Sequence, residues 1–284
     1  MEFSPAARSV SLFREVEVSA ALHIYFRYVA NSFHGQMQYR ASFVMMSGGN
    51  FLYAATKFLA LWIIFGRFGN IVGWSLHEVA LLYGMVQVAL AAADITTPGF
   101  RTFGELVRRG ELDRLLLRPH STALQLAAYR LDLSYIGSLL QGLAVLLWAI
   151  LNLSISWTLS KLFILSLGIL GGTFTFYGLY IIEATLSFWT TQSLEFMNSF
   201  TRGGAAAAQY PFKIYQVWFR RFFTFIVPVA FASYYPAMFI LDRSDHLLHH
   251  TALIYCSPIV GFVFFTLCLQ FWTFGVKHYC STGS

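Results

Sequence analysis

The residues best placed to do chemistry in this sequence are charges that fall inside or beside long apolar runs. Lys57, Glu78, Asp94, Arg130, Asp132 and Glu183 are of this kind. A charge at membrane depth is costly, so it marks an ion pair, a gate or a substrate contact. Glu78 and Asp94 stand near the two ends of one apolar run. Arg130 and Asp132 stand at the start of the next and can pair with other groups. Glu183, near the end of a further run, is the candidate for a gate or a cation contact; an interhelical pairing carboxylate is its plainer role. His246, His249 and His250 form H-x-x-H-H, which could hold a metal, but no H-E-x-x-H accompanies it and a polar loop explains it better. Cys256, Cys268 and Cys280 have no metal or redox spacing and read as reduced thiols. There is no G-x-S-x-G, and no G-x-x-x-x-G-K-[ST] to cradle a nucleotide phosphate.

A second constellation lies in TTPGFRTFGELVRRGELDRLLLRPHS, Thr96 to Ser121. Pro98-Gly99 reads as a turn. Thr102 and Glu105 have capping-box spacing for a helix start. Phe103, Leu106 and Val107 share one face of that helix. Arg108 and Arg109 fall in its last turn, where the helix dipole favours cations. Gly110 is a natural left-handed stop. A short amphipathic helix of this kind is either a solvated loop helix or a rigid docking element for a partner.

These residues need a frame, and the composition says which. Of 284 residues, 57% are hydrophobic and 11% charged; a soluble domain carries about 25% charged residues. The surplus apolar surface must face lipid. Six windows reach the length of a spanning helix: 41–65, 76–93, 133–151, 162–182, 222–241 and 253–274. The fifth is interrupted by Pro228 and Pro236. None shows the alternation of a membrane strand. The fold class is therefore all-α integral membrane with six transmembrane helices.

With the N-terminus inside, fifteen of the nineteen Lys and Arg fall on inner segments, including Arg202, Lys213, Arg220 and Arg221. Arg67, Lys161 and Arg243 fall outside. That bias puts both termini in the cytoplasm, and it explains the net charge of +6 without nucleic acid. Before the first span, Leu22, Phe26, Val29, Phe33 and Met37 recur at helical spacing, as in an amphipathic helix at the inner interface. The chain divides into a cytoplasmic N-terminus with this helix (1–40) and a six-span domain (41–284) whose connecting segment is 96–121. No cleavable signal peptide is expected at the polar N-terminus. Gly168, Gly171 and Gly172 invite close helix packing.

The string RRGELDRLLLRP, Arg108 to Pro119, resembles the signature of bacterial ABC-2-type permeases, the membrane subunits of ATP-binding-cassette exporters. The stretch from Tyr210-Pro211 through Pro228-Val229-Ala230-Phe231 to Tyr234-Tyr235-Pro236-Ala237 resembles the same family, and the likeness covers nearly the whole chain. It implies an ABC-2 exporter fold in a bacterial inner membrane, with an interfacial connecting helix before span one. It implies pairing with a second copy or a related permease, and two separate ATPase subunits that hold the ATP and Mg. It also implies that the helix between spans two and three couples to the ATPase, which assigns Thr102, Glu105, Arg108, Arg109, Gly110, Glu111, Asp113 and Arg114 to that contact. Some relatives export viologen-like cations, so the cargo implied is a hydrophobic or cationic small molecule or a lipid. Glu183, Phe174, Tyr177, Phe231, Tyr234 and Tyr235 are the candidates for its path or gate, and Phe222, Phe223 and Phe225 could line an exit. A secondary transporter or channel, and a membrane-embedded lipid-modifying enzyme, remain alternatives. Ion-gradient-driven transport would mark the first, and activity without ATP the second.

Overall fold

The computed structural model describes residues 30, 33–109, 121–127, 131–189, 193–243 and 257–278. Among these the chain is helical, with no strand beyond one isolated bridge between Ile71 and Trp74. Five helices are long and apolar enough to cross a membrane. They are α1 (Arg40–Phe68), α2 (Leu76–Thr96), the helix that begins as a 3-10 turn at Leu133 and continues as α6 (Ile136–Asn152), α7 (Leu159–Leu186), and α11 (Ser257–Lys277). Between α2 and α6 lie three short helices: α3 (Pro98–Arg101), α4 (Phe103–Arg108) and α5 (Thr122–Ala127). The near end of the bundle is where α1 starts and α11 ends; the far end carries the α1–α2 loop.

α2 is the central helix. Most of it is buried, from Val79 to Ala91 without a break. Its start is fixed by a capping box: Ser75 N–H donates to Glu78 Oε2 at 2.7 Å, and Glu78 N–H donates to Ser75 Oγ. α1, by contrast, leaves most of its apolar residues exposed, among them Met45, Leu52 and Ile63. It touches the bundle mainly through α6, where Gly137 meets the Ser47 carbonyl and Asn50 donates to Ser134 O at 3.0 Å.

The glycines of α7 do pack helices closely. A side chain on Gly171 would strike the Ser257 backbone of α11, and one on Gly261 would strike the Gly171 carbonyl. A side chain on Gly172 would meet Ala232 and Ala89. The two helices cross backbone to backbone, as small residues permit in lipid.

The fifth crossing is not where hydropathy puts it. α8 (Ser193–Ala208) follows α7 and runs antiparallel to α2. Its Arg202 bonds Asp94 toward the near end, while Tyr210, beyond its last turn, lines one cavity with Tyr83 toward the far end. Phe212 then lies 5.4 Å from Tyr234, whose ring is 6.0 Å from that of Trp74 in the far-end loop. The chain has crossed the bundle by residue 212. α9 (Val217–Arg221) and its π-helical continuation Phe222–Ile226 then turn back, so that Phe223 stacks on Phe200 at 5.7 Å. The 3-10 turn Val229–Ala232 and α10 (Tyr234–Ile240) return at 75° to that segment and reach the far end, where Asp242 pairs with Lys161 at 2.6 Å. Residues 217–240 form a re-entrant hairpin rather than a span. This moves Lys213, Arg220 and Arg221 away from the near end and puts Arg202 inside the bundle. Arg40, Arg101, Arg108, Arg109 and Lys277 keep the near end basic. Hydropathy missed α8 because Arg202 and Asn198 dilute it; it is sheltered by protein, with Thr201, Ala205 and Ala208 buried.

Residues 33–38 are helical and lead into α1 through a turn at Tyr39. They fall in the region expected as an interfacial helix; most of that region lies outside the described residues. Gln36 ties them to the start of the third span, donating to Leu131 O at 2.6 Å and accepting from Leu133 N–H at 3.0 Å.

Candidate functional site: a near-end surface wired to a buried aspartate

The segment after α2 is helical because Pro98 sits in the first turn of α3, where its missing N–H costs nothing. α3 runs almost directly into α4. Thr102 N–H therefore donates to Pro98 O at 2.9 Å, and its hydroxyl donates to the same carbonyl at 3.0 Å. The expected Thr102–Glu105 capping box does not form, because Thr102 is already inside a helical turn. Glu105 instead pairs with Arg109 one turn on. The apolar face is as expected: Phe103 and Leu106 are buried and Val107 is half-buried. Phe100 and Phe103 pack edge-on against Trp272 of α11, and Phe103 also against Phe188. Trp272 in turn donates to Thr122 Oγ1 at 3.2 Å. Gly99 lies against the Leu126 carbonyl so closely that no side chain fits, which seats α3 on α5.

The opposite face is exposed. Thr102, Glu105, Arg108 and Arg109 are exposed, Glu105 at 52% and Arg109 at 61%. Gly110, Glu111, Asp113 and Arg114 lie outside the described residues, as do His246, His249, His250, Cys256 and Cys280. Cys268 is a buried free thiol. Among the described residues no three His, Cys, Asp or Glu side chains could hold a metal.

Behind this surface is a charge cluster centred on Asp94, which is 2% exposed. Its carboxylate accepts from four donors. Arg101 Nη1 is at 3.1 Å, Arg202 Nη1 and Nη2 are at 3.1 and 3.2 Å, and Tyr180 Oη is at 2.5 Å. Arg101 also donates to Asp132 at 2.9 Å and lies over the Tyr135 ring. Asp132 accepts from Ser134 N–H and so fixes the start of the third span. Burial works against the charge on Arg101, but Asp94, with Tyr135, Tyr180 and Asp132, outweighs it. The guanidinium is held above the usual arginine range. Four elements meet at one carboxylate: α2, α3, α7 and α8, with the head of the third span attached through Arg101.

Glu183 is buried next to this cluster, 3% exposed, within electrostatic reach of Arg202 and Arg101. Its Oε2 has no hydrogen-bond partner among the described residues. The aromatic path candidates separate into two groups. Phe174 and Tyr177 pack against Phe262 and Phe265 of α11, and the Tyr177 hydroxyl meets Thr96 Oγ1 at 2.6 Å. Phe231, Tyr234 and Tyr235 are buried on the far side of α7, stacked on one another and on Phe212. Phe222 and Phe223 pack on Phe200, and Phe225 is exposed. The sequence marked Asp132 as able to pair with another group and placed Asp94 only near the end of its span. It missed that Arg101 and Arg202 both serve Asp94, since Arg202 reads as part of a loop.

At the far end, Arg243 donates to Glu78 at 2.6 Å and to Gly73 O at 3.0 Å, and lies over the Trp74 ring. With the Lys161–Asp242 pair it fastens the end of the re-entrant hairpin to α2 and α7.

A family model described as "ABC-2 family transporter protein" matches residues 51–283. Comparison with curated proteins and with solved structures gives no match.

Proposed function

The chain belongs to the ABC-2 family of transporter proteins, and we propose that it is the permease subunit of an exporter driven by ATP that a separate ATPase subunit binds with Mg. One observation carries the reading: the segment 97–109 has an exposed charged face and a back face wired into the bundle. A motor acting on a membrane protein must push on something that does not yield locally. Force on Glu105, Arg108 or Arg109 passes through the Phe103–Trp272 contact to α11, and through Arg101 and Asp94 to α2, α7 and α8. Packed contacts and ion pairs of this kind can carry coupling between sites.

In this reading Thr102, Glu105, Arg108 and Arg109, with Gly110, Glu111, Asp113 and Arg114 beyond them, form the ATPase contact. The near end is cytoplasmic, in a bacterial inner membrane, as its basic residues favour. The exposed apolar length of α1 is covered by lipid and by a second copy or a related permease. The direction is export, by analogy with the family.

The test is whether an ATPase subunit co-purifies with the chain from its native membrane. Charge reversal at Arg108 and Arg109 is expected to abolish permease-stimulated ATP hydrolysis while leaving the fold intact. Hydrolysis and transport that survive the reversal would refute the assignment of the contact. The absence of any associated ATPase would refute the class of mechanism.

A further inference from the structure

A cavity of about 260 Å³ lies between α1, α2 and α8. Its polar lining is Lys57, Arg202, Gln209, Tyr83 and Tyr210; the rest is alanine and leucine, and among the described residues no carboxylate lines it. We propose that this cavity binds the anionic head of an amphiphile, a phosphate or carboxylate on an apolar tail. The proposal names the cargo class of the permease function above and so rests on that reading for its biological meaning. The site itself does not.

The position of Lys57 makes the first argument. At about 1.5 Å per helical residue, Lys57 lies roughly 25 Å from the start of α1 and about 16 Å from its end. α1 is about 43 Å long, more than the hydrocarbon layer of about 30 Å, so a centred layer leaves the exposed Lys57 about 10 Å inside its far boundary. Its ammonium stands over the Tyr53 ring at 4.3 Å, and among the described residues no carboxylate pairs with it. A cation at this depth without a counter-ion is costly, and such residues serve substrate or ion paths.

The other donors agree. Gln209 is 7% exposed, and neither its amide nor the Tyr210 hydroxyl has a side-chain partner among the described residues. Arg202 spends one N–H of each terminal nitrogen on Asp94 and has three more to offer. Asp94 is paired with Arg101, Arg202 and Tyr180 and is not among the lining residues. What the cavity presents is the Lys57 ammonium, the N–H groups that Arg202 does not spend on Asp94, and two neutral donors. An anion can accept from all of them, whereas a cation meets Lys57 as a like charge. The tail would follow the apolar wall that Ala60 and Leu61 begin. The cationic cargo implied by family resemblance therefore does not suit this cavity.

The experiment uses the full chain purified in a neutral detergent. Retention of added amphiphiles is read by native mass spectrometry, with no ATPase required, so its outcome is independent of whether an ATPase co-purifies. The probes are phosphatidylglycerol, phosphatidylcholine with the same chains, dodecyl phosphate and dodecyltrimethylammonium. The anionic probes are expected to be retained over the zwitterionic and cationic ones. Lys57→Gln is expected to weaken the anionic probes about tenfold, the loss of roughly one charge-assisted hydrogen bond, and Lys57→Arg to restore them. Gln209→Leu, which leaves every charge in place, should weaken them less and guards against a Lys57 variant that fails to fold. Retention of phosphatidylglycerol identifies a bilayer lipid as the occupant; retention of dodecyl phosphate alone identifies a single-chain amphiphile from solution. Either supports the site. Equal retention of the cationic probe, retention of no anionic probe, or binding unchanged in a folded Lys57→Gln variant overturns it.

Discussion

Replacing Asp94 by Asn tests whether the near-end surface is joined to the bundle through one buried carboxylate. The substitution is nearly isosteric, so any effect comes from charge and hydrogen bonding. Asn keeps one acceptor oxygen where Asp94 offers two to Arg101, Arg202 and Tyr180, and its amide group points two donors at donors. Removing one partner of a buried ion pair costs about 3–5 kcal/mol. Two features argue for the lower end. Arg101 retains Asp132, and Arg202 keeps 35% of its side-chain surface exposed, where solvent screens it. The expected loss is about 3 kcal/mol, roughly a hundredfold in the folding equilibrium. Reversible unfolding in mixed detergent micelles, followed by helicity, measures it. A double-mutant cycle with Arg202→Gln isolates the pair, and residues in direct contact should couple by about 1–2 kcal/mol. If Asp94→Asn unfolds like the parent protein, or if the two substitutions simply add, the cluster does not join these helices and the transmission route through Arg101 and Asp94 fails.

Three further outcomes follow from the same geometry. Glu105→Ala should change unfolding by less than about 0.5 kcal/mol, because both ends of the Glu105–Arg109 pair are largely exposed; a larger loss in the same unfolding assay would mean the face is structural and not free for a partner. Gly261→Leu should cost about 1–3 kcal/mol by overpacking the α7–α11 crossing, seen as a lower melting temperature, whereas an unchanged melt would show that the helices do not meet there. Arg243→Ala should cost about 1 kcal/mol and increase protease access to the far-end turn around Asp242. Arg243→Lys should recover only part of this, since one ammonium does not match a guanidinium that serves Glu78, the Gly73 carbonyl and the Trp74 face together.

Hydropathy by itself determined that this chain crosses a membrane and located α1, α2, α6, α7 and α11 to within a few residues. Burial in lipid is written directly into composition, because every backbone polar group there must be satisfied within a helix. Local sequence also determined the amphipathic face of α4 and the close-packing glycines of α7, since both depend on spacing along a single helix. It could have given the capping box at Ser75 and Glu78, an S-x-x-E string overlooked at the start of α2.

What the tertiary structure decided is whatever depends on a second element. α8 crosses the bundle although its sequence reads as a polar loop, because Asp94 on α2 neutralises Arg202 and other helices shield it from lipid. The apolar window Phe222–Leu241 re-enters instead of crossing, because the crossing had already been made. Thr102 loses its expected cap because α3 runs into α4 ahead of it. Glu78, Asp94 and Asp132 acquired definite roles only when their partners were placed, up to 108 residues away in the chain. Charge compensation acts through space, and no spacing along the sequence records it.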